Sequence, residues 1–208
     1  MPRPNCPVRP GATGNAIRQC LHLLPPNRVR SATSPLLILF LLGLLSLYLR
    51  VAGIGNSDLW YDEIQSVSHA ILSWTDILAS VERFDPHPSL YYLQLHLWML
   101  SGTSDIFIKL SAVLWSLAAV YSLAFVCMHI FGYRVSLPTT VLFMSSPLAI
   151  IYAQEVRMYS MLICLGIWHF YLLYLILSDK LTMKVWLSTV VVTLAILYSH
   201  GAAFLILV

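Results

Sequence analysis

The chain has 208 residues, of which 59 % are hydrophobic and only 10 % are charged. Water-soluble domains carry about a quarter charged residues, so the composition excludes an ordinary soluble domain and favours a bilayer as the main solvent. The net charge of +3 is unevenly distributed along the chain. Five arginines and no acid occupy the first 34 residues, whereas seven of the nine acids lie between Asp58 and Asp105.

Residues 1–34 form a basic segment rich in proline and glycine, and this composition predicts a disordered tail. Arginines ahead of an apolar run place that tail on the cytoplasmic side. No recognition module accompanies it, so no nucleic-acid partner is predicted. A signal peptide is the weaker interpretation, because the apolar run is long and no small-residue cleavage site follows it.

The remaining residues, 35–208, contain apolar runs long enough to cross a bilayer, and they predict an all-α, polytopic membrane protein. The predicted spans lie near 35–54, 110–133, 135–154, 158–178 and 185–208. The apolar run at Leu90–Leu100 is shorter and is interrupted by Gln94 and His96. That length is typical of a re-entrant or interfacial segment.

The orientation of the loops depends on that short run. If it does not cross, Arg134, Lys180 and Lys184 share the cytoplasmic side with the basic tail, as the positive-inside tendency prefers. The loop 55–109 and the segment around Glu155 are then exoplasmic. A full crossing would invert these loops and export Lys180 and Lys184, so the first arrangement is favoured.

The loop 55–109 contains an apolar pattern with alternating four- and three-residue steps, which predicts an amphipathic helix. The stripe consists of Trp60, Ile64, Val67, Ile71, Trp74, Leu78 and Val81. Tryptophan at two of these positions suits a helix that lies in the headgroup region. The amphipathic helix of a soluble domain is the alternative, but this chain offers no soluble core for it to cover.

Ionisable side chains near apolar spans are candidate functional groups, and here they gather on the predicted exoplasmic side. They are Asp62, Glu63, Asp85, His87, Lys109, Glu155 and Arg157. Each also has a structural interpretation: charges at a helix start, turn residues beside proline, a surface ion pair or a snorkelling lysine. These residue types alone establish only a membrane protein with an acidic exoplasmic loop.

Four ordered motifs resemble those of the membrane glycosyltransferases of the GT-C type. They are LWYDEIQS from Leu59, FDPHPSLYYLQLHLWML from Phe84, SDIFIKLSAVLWSLAAVYSL from Ser104 and SSPLAIIYAQEVRMYS from Ser145, and LYSHG from Leu197 is a further similarity. The group they resemble most is family 39 and its relatives. These include protein O-mannosyltransferases, aminoarabinose transferases of lipid A and rhizobial lipopolysaccharide galacturonosyltransferases. The resemblance extends from Leu59 to the last residue.

The resemblance implies a GT-C-like helical bundle with interfacial helices in the first exoplasmic loop. Such enzymes transfer a sugar from a polyprenyl-phosphate donor to a hydroxyl of a glycan, lipid or protein acceptor, with inversion at the anomeric carbon. It further implies a multi-pass protein of the bacterial plasma membrane, or of the endoplasmic reticulum if the source is eukaryotic. Family members usually continue further, so the chain is expected to be an N-terminal fragment whose activity alone is open.

Residue by residue, the resemblance implies Asp62 as the general base and Glu63 as its partner. It assigns the donor phosphate to His87, Arg157 and Lys109, although Lys109 stands where the family usually has arginine. Further substrate-site candidates are Asp85, Glu155, Tyr159 and His200. No cofactor is expected, and a divalent metal is not favoured because no second acidic motif appears at 155–157.

A transporter or a lipid-binding membrane protein without chemistry is the alternative class. Such a protein places charged groups in mid-span positions that face a path. The predicted spans contain none, apart from Arg50 near an end of the first. The sequence therefore favours the enzyme over this alternative.

Overall fold

A computed structural model describes residues 35–81 and 88–201 of the chain. The regular structure of these residues is entirely helical, which agrees with the predicted all-α class. The helices of the described part are α1 Pro35–Val51, α2 Tyr61–Ala70, α3 Trp74–Val81, α4 Leu90–Met99, α5 Asp105–Phe131, α6 Tyr133–Met144, α7 Pro147–Gln154, α8 Tyr159–Leu177 and α9 Met183–Leu197. The predicted tail 1–34 and the candidates Asp85 and His87 lie outside the described residues.

Two helices, α5 and α8, are long and apolar enough to cross a bilayer. Helices α6 and α7 form a third candidate if they are taken together, since they meet at a short break with a bend of 57°. Helices α1 and α9 are apolar but have only 17 and 15 residues, at or below the usual lower limit for a span. Within the described residues, the structure therefore provides two or three membrane-crossing candidates where the sequence predicted five.

The first and last predicted spans differ most from the structure. Helix α1 stops at Val51, because the chain turns at Gly53, whose φ of 79° suits glycine. Helix α9 stops at Leu197 and is followed by a turn at Tyr198 and Ser199. Residues 202–208, the end of the last predicted span, lie outside the described part of the chain.

Helix α5 is at the centre of the bundle, packing against α6, α7 and α8, while α9 packs against α8. Its buried face is rich in small residues, which let neighbouring helices approach closely. They include Ser111, Ala112, Ser116, Ala119, Ser122 and Ala124. Large apolar side chains such as Leu114 and Phe125 of α5 and Phe170 of α8 are exposed instead. This distribution suits helices that are surrounded by lipid.

The break between α6 and α7 leaves polar backbone groups inside the bundle. Pro147 begins α7, where its fixed φ and missing N–H are tolerated. The Arg50 guanidinium donates to the Met144 carbonyl at the end of α6 (3.2 Å). In the other direction, the Gln154 amide donates to the carbonyls of Arg50 (3.0 Å) and Ala52 (2.9 Å) at the end of α1. These two side chains therefore cap two helix ends.

The amphipathic segment is two helices and not the single helix that the periodicity predicts. Ser73 separates them, because its hydroxyl accepts from the Asp76 N–H (3.3 Å) and donates to the Asp76 carboxylate (2.6 Å), which caps the start of α3. Most of the predicted stripe is exposed: Ile71, Trp74 and Leu78 are each about half exposed or more. The buried residues of α2 are instead Glu63, Ser66 and Ala70.

Helix α4 corresponds to the short apolar run that the sequence predicts not to cross. Its ten residues rise about 15 Å, roughly half the thickness of a bilayer core. It packs against α2 and α5 with Tyr91, Tyr92 and Leu95 buried. The Leu90 N–H donates to the Tyr198 carbonyl (3.0 Å), which joins the start of α4 to the end of α9.

Candidate active site

The candidate site forms where the first turn of α2 meets the break between α7 and α8, and Glu63 joins the two. One carboxylate oxygen of Glu63 accepts from the Trp60 N–H (3.1 Å), and the other accepts from the Val156 N–H (2.7 Å). Glu63 is only 2 % exposed. Because both oxygens are bonded to backbone and buried, this side chain holds the two segments together.

Asp62, the neighbouring residue, has different partners. Its side chain is 36 % exposed, and its carboxylate lies 3.8 Å from Nη2 of Arg157. The Nη1 of Arg157 donates to the Asp62 carbonyl (3.1 Å). Arg157 itself is only 7 % exposed. The structure therefore brings the predicted base and a predicted phosphate ligand together. The Asp62 side chain is partly exposed, whereas Arg157 is buried.

Glu155 is the third carboxyl group of the site and follows the last residue of α7 with extended backbone. Burial raises its pKa above the ordinary value for glutamate, the charges of Glu63 and Asp62 raise it further, and the charge of Arg157 opposes them. Glu63 and Arg157, which neighbour Asp62, thus also act on Glu155. The predicted candidates Asp62, Glu63, Glu155 and Arg157 form one electrostatic cluster.

Tyr159 is the first residue of α8 and lies at one end of an apolar groove. Its ring packs against Tyr152 (centroids 4.7 Å apart) and lies 6.3 Å from the ring of His200. The groove has a volume of about 350 Å³ and is lined by Tyr152, Tyr159, Leu162, Ile163, Gly166, Ile167 and Phe170. It follows α8 from the site loop towards the middle of the helix. The predicted candidates Tyr159 and His200 therefore lie together where the groove begins.

Lys109 lies elsewhere. Its ammonium group donates to the Ser57 carbonyl (2.7 Å), the Ser57 hydroxyl (3.3 Å) and the Ile54 carbonyl (3.4 Å). Lys109 is 3 % exposed, and these oxygens belong to the loop between α1 and α2. The cation holds this loop, and the structure does not bring it into the cluster around Arg157.

The described residues also bear on metal binding. Among them, no three His, Cys, Asp or Glu side chains are grouped as a metal site would require. Glu63 is poorly placed to add a ligand, because backbone N–H groups occupy both of its oxygens. The expectation that the protein needs no cofactor stays a prediction.

Two polar residues close to the cluster were not among the predicted candidates. Tyr91 of α4 is buried, and its hydroxyl has no hydrogen-bond partner in the described structure. Gln154 holds the end of α7 immediately before Glu155. Both lie inside the motifs quoted above, so a closer examination of the polar groups in those motifs would have identified them as candidates.

No protein-family model matches this sequence, and neither a curated protein nor a solved structure gives a significant match.

Proposed function

We propose that this chain carries the catalytic site of a polytopic membrane glycosyltransferase of the GT-C type. The enzyme transfers a sugar from a polyprenyl-phosphate donor to an acceptor hydroxyl with inversion. The observation that carries the proposal is the exposed Asp62 carboxylate, 3.8 Å from the buried Arg157 guanidinium, near one end of an apolar groove. One site then offers a base, a cation for a phosphate and a surface for a lipid chain.

The chemistry is a single displacement. The Asp62 carboxylate takes the proton of the acceptor hydroxyl as that oxygen attacks the anomeric carbon. The bond from the anomeric carbon to the phosphate oxygen breaks, and the polyprenyl phosphate leaves with the electron pair. Arg157 stabilises the negative charge that grows on the phosphate, and its burial strengthens the interaction. Attack and departure on opposite faces of the sugar invert the anomeric configuration.

The different environments of the carboxyl groups support a mechanism with one essential acid. A retaining mechanism needs a second carboxylate that acts as a nucleophile on the sugar. Glu63 is buried with both oxygens bonded to backbone. Burial and neighbouring negative charges raise the pKa of Glu155, which disfavours its ionised form. Asp62, whose partly exposed carboxylate lies 3.8 Å from Arg157, is left as the acid for the displacement.

The groove supports a lipid-linked donor. Its lining is apolar and aromatic, and it begins at Tyr159, two residues after Arg157. From Tyr159 to Phe170 the helix rises about 16 Å, which is enough for several isoprene units laid along α8. A donor with its phosphate at Arg157 can place its chain in this groove.

The proposed membrane arrangement follows from the same features. Helices α5, α8 and the bent pair α6–α7 cross the bilayer, and the exposed stripe of α2 and α3 lies in the headgroup region with Trp60 and Trp74. With α1 crossing as well, the basic tail shares the cytoplasmic side with Arg134, Lys180 and Lys184, and this charge distribution supports an exoplasmic site. The compartment proposed is the bacterial plasma membrane, or the endoplasmic reticulum for a eukaryotic source.

The test is transfer by the purified, membrane-reconstituted protein, with polyprenyl-phosphate hexoses as donors. Asp62→Asn keeps the shape of the side chain but cannot take the proton, so transfer should fall by about 10²–10⁴-fold. Glu63→Gln should reduce activity less, because its role is structural. Asp76→Asn is the matched control and should retain activity, because the Asp76 carboxylate of α3 accepts from the Ser73 hydroxyl outside the cluster. Normal transfer by Asp62→Asn would remove the proposed base.

A further inference from the structure

Tyr91 belongs to the same buried core as the loop that carries Arg157. It is the second residue of α4 and is 1 % exposed. It shares one buried core cluster with Val156 and Met158, the two residues on either side of Arg157. Both of these neighbours are fully buried. The buried phenol and the two residues that flank Arg157 are therefore parts of one core.

Two hydrogen-bond donors in this region have no partner. The Tyr91 hydroxyl and the Nε of Arg157 are both buried, and neither has a hydrogen bond in the described structure. Buried polar groups are nearly always bonded, and an unmatched one costs free energy. Two unmatched donors at one functional cluster point to a ligand that supplies acceptors.

The charges around Tyr91 define what kind of ligand fits. Burial raises the pKa of Tyr91 well above its ordinary value, the positive charge of Arg157 opposes this, and the negative charge of Glu63 adds to it. The phenol therefore keeps its proton and remains a donor. A neutral O–H within the electrostatic influence of a cationic guanidinium is complementary to an oxygen that only accepts and carries negative charge, as in a phosphate.

We propose that the Tyr91 hydroxyl and the Arg157 Nε–H bind one non-bridging oxygen of a prenyl phosphate, so that Tyr91 is a second phosphate-binding residue. This inference rests on the proposed function and specifies its donor site. The Arg157–Asp62 contact of 3.8 Å is longer than a hydrogen bond. The loop 155–158 is non-helical. Both features allow the guanidinium to turn towards an incoming phosphate.

The experiment compares three probes on the purified full chain: farnesyl monophosphate, farnesol and inorganic phosphate. Tyr91→Phe removes only the hydroxyl. It should weaken binding of farnesyl monophosphate by roughly tenfold or more, as expected for one hydrogen bond to a charged group. Binding of farnesol should be unchanged. The thermal midpoint should stay the same or rise, because the removed hydroxyl has no protein partner.

Tyr92→Phe is the matched control, since Tyr92 is the adjacent, equally buried tyrosine and its ring stacks on His69 (centroids 5.0 Å apart). It should leave the affinity for farnesyl monophosphate unchanged. A lowered thermal midpoint for Tyr91→Phe, with normal binding, would make the hydroxyl a structural group and overturn the inference.

Arg157→Ala separates this inference from the proposed function. If Arg157→Ala loses farnesyl monophosphate and Tyr91→Phe does not, the role of Tyr91 is wrong and the proposed donor site stands. If neither variant loses affinity, the proposed donor site fails as well. Inorganic phosphate that binds as tightly as farnesyl monophosphate, with the same dependence on Tyr91, would support the phosphate contact and overturn the lipid carrier.

Discussion

Two arginines are buried in the described part of the chain, Arg50 and Arg157, and their surroundings differ. The Arg50 guanidinium donates to neutral oxygens: the hydroxyls of Ser116 (2.7 Å) and Ser46 (2.8 Å) and the carbonyls of Ser46 and Met144 (each 3.2 Å). Arg157 donates to one carbonyl and lies beside the Asp62 carboxylate. Each has one nitrogen without a partner in the described structure, so this feature does not separate them.

The difference shows that burial of a cation is not in itself a sign of function. Arg50 supplies a donor to a carbonyl freed where α6 ends inside the bundle, which is a structural need in an apolar environment. Lys109 serves the loop between α1 and α2 in the same way. Arg157 is distinguished by three nearby carboxyl groups, of which Asp62 and Glu155 are partly exposed. A transporter would use buried cations along a path, whereas the observed bonds of Arg50 end on its own helix and on α5 and α6.

The largest effect expected from this comparison is on Arg157. Arg157→Lys keeps the charge but cannot make two parallel hydrogen bonds, so transfer should fall measurably. Arg157→Ala should reduce transfer by about 10²–10³-fold, the range for losing one donor to developing negative charge. Initial rates at saturating acceptor measure this. Membrane insertion, checked by yield and gel filtration, should be normal in both variants. Equal rates in lysine and wild type would assign Arg157 the role of a membrane-boundary anchor.

A smaller effect, on stability and not on transfer, is expected at Arg50. Arg50→Met keeps an unbranched, though shorter, side chain and removes every donor, which leaves the Met144 carbonyl without its partner. The free energy of unfolding should fall by about 1–3 kcal/mol, the cost of an unsatisfied buried group. Denaturant titration in detergent measures it, and the protein that remains folded should bind farnesyl monophosphate normally. Ser116→Ala, which removes one acceptor, is the milder control. Normal stability with lost binding would place Arg50 in the site.

The comparison also separates what the sequence predicts from what it does not. Helices α5 and α8 follow from uncharged apolar runs, and the break before α3 carries a local signal in Ser73 and Asp76, which the periodicity argument overlooked. The partners of Arg50 do not follow, because Ser116 and Met144 are 66 and 94 residues away. Only the packed bundle brings them together.

The candidate site also has features that the sequence predicts and features that it does not. The resemblance to GT-C enzymes predicted that Asp62, Glu63 and Arg157 act together, and the structure brings them into one cluster. The structural role of Glu63, which joins two segments of the site, depends on a hydrogen bond from the Val156 N–H. Val156 is 93 residues away, so no local pattern reveals this bond. The resemblance assigns Lys109 to the phosphate because a cation stands at the matching motif position. Its bonds to Ser57 arise from the fold of a loop that the motif does not include.

The smallest effect expected is a pH dependence from Glu155. Because its pKa in the folded protein is raised, folding favours the protonated form. The stabilisation from that proton is fully present below the ordinary pKa of 4.5 and is lost as the pH rises through the raised value. Glu155→Gln cannot ionise, so its thermal midpoint should equal that of the wild type at low pH and exceed it increasingly towards neutral pH. Parallel thermal melts of the two proteins, with Asp76→Asn as the exposed control, measure the difference.

A midpoint advantage of the wild type that grows with pH would mean that attraction to Arg157 outweighs burial at Glu155. Arg157 would then be neutralised by two carboxylates, Asp62 and Glu155, and its charge would be less available to a phosphate.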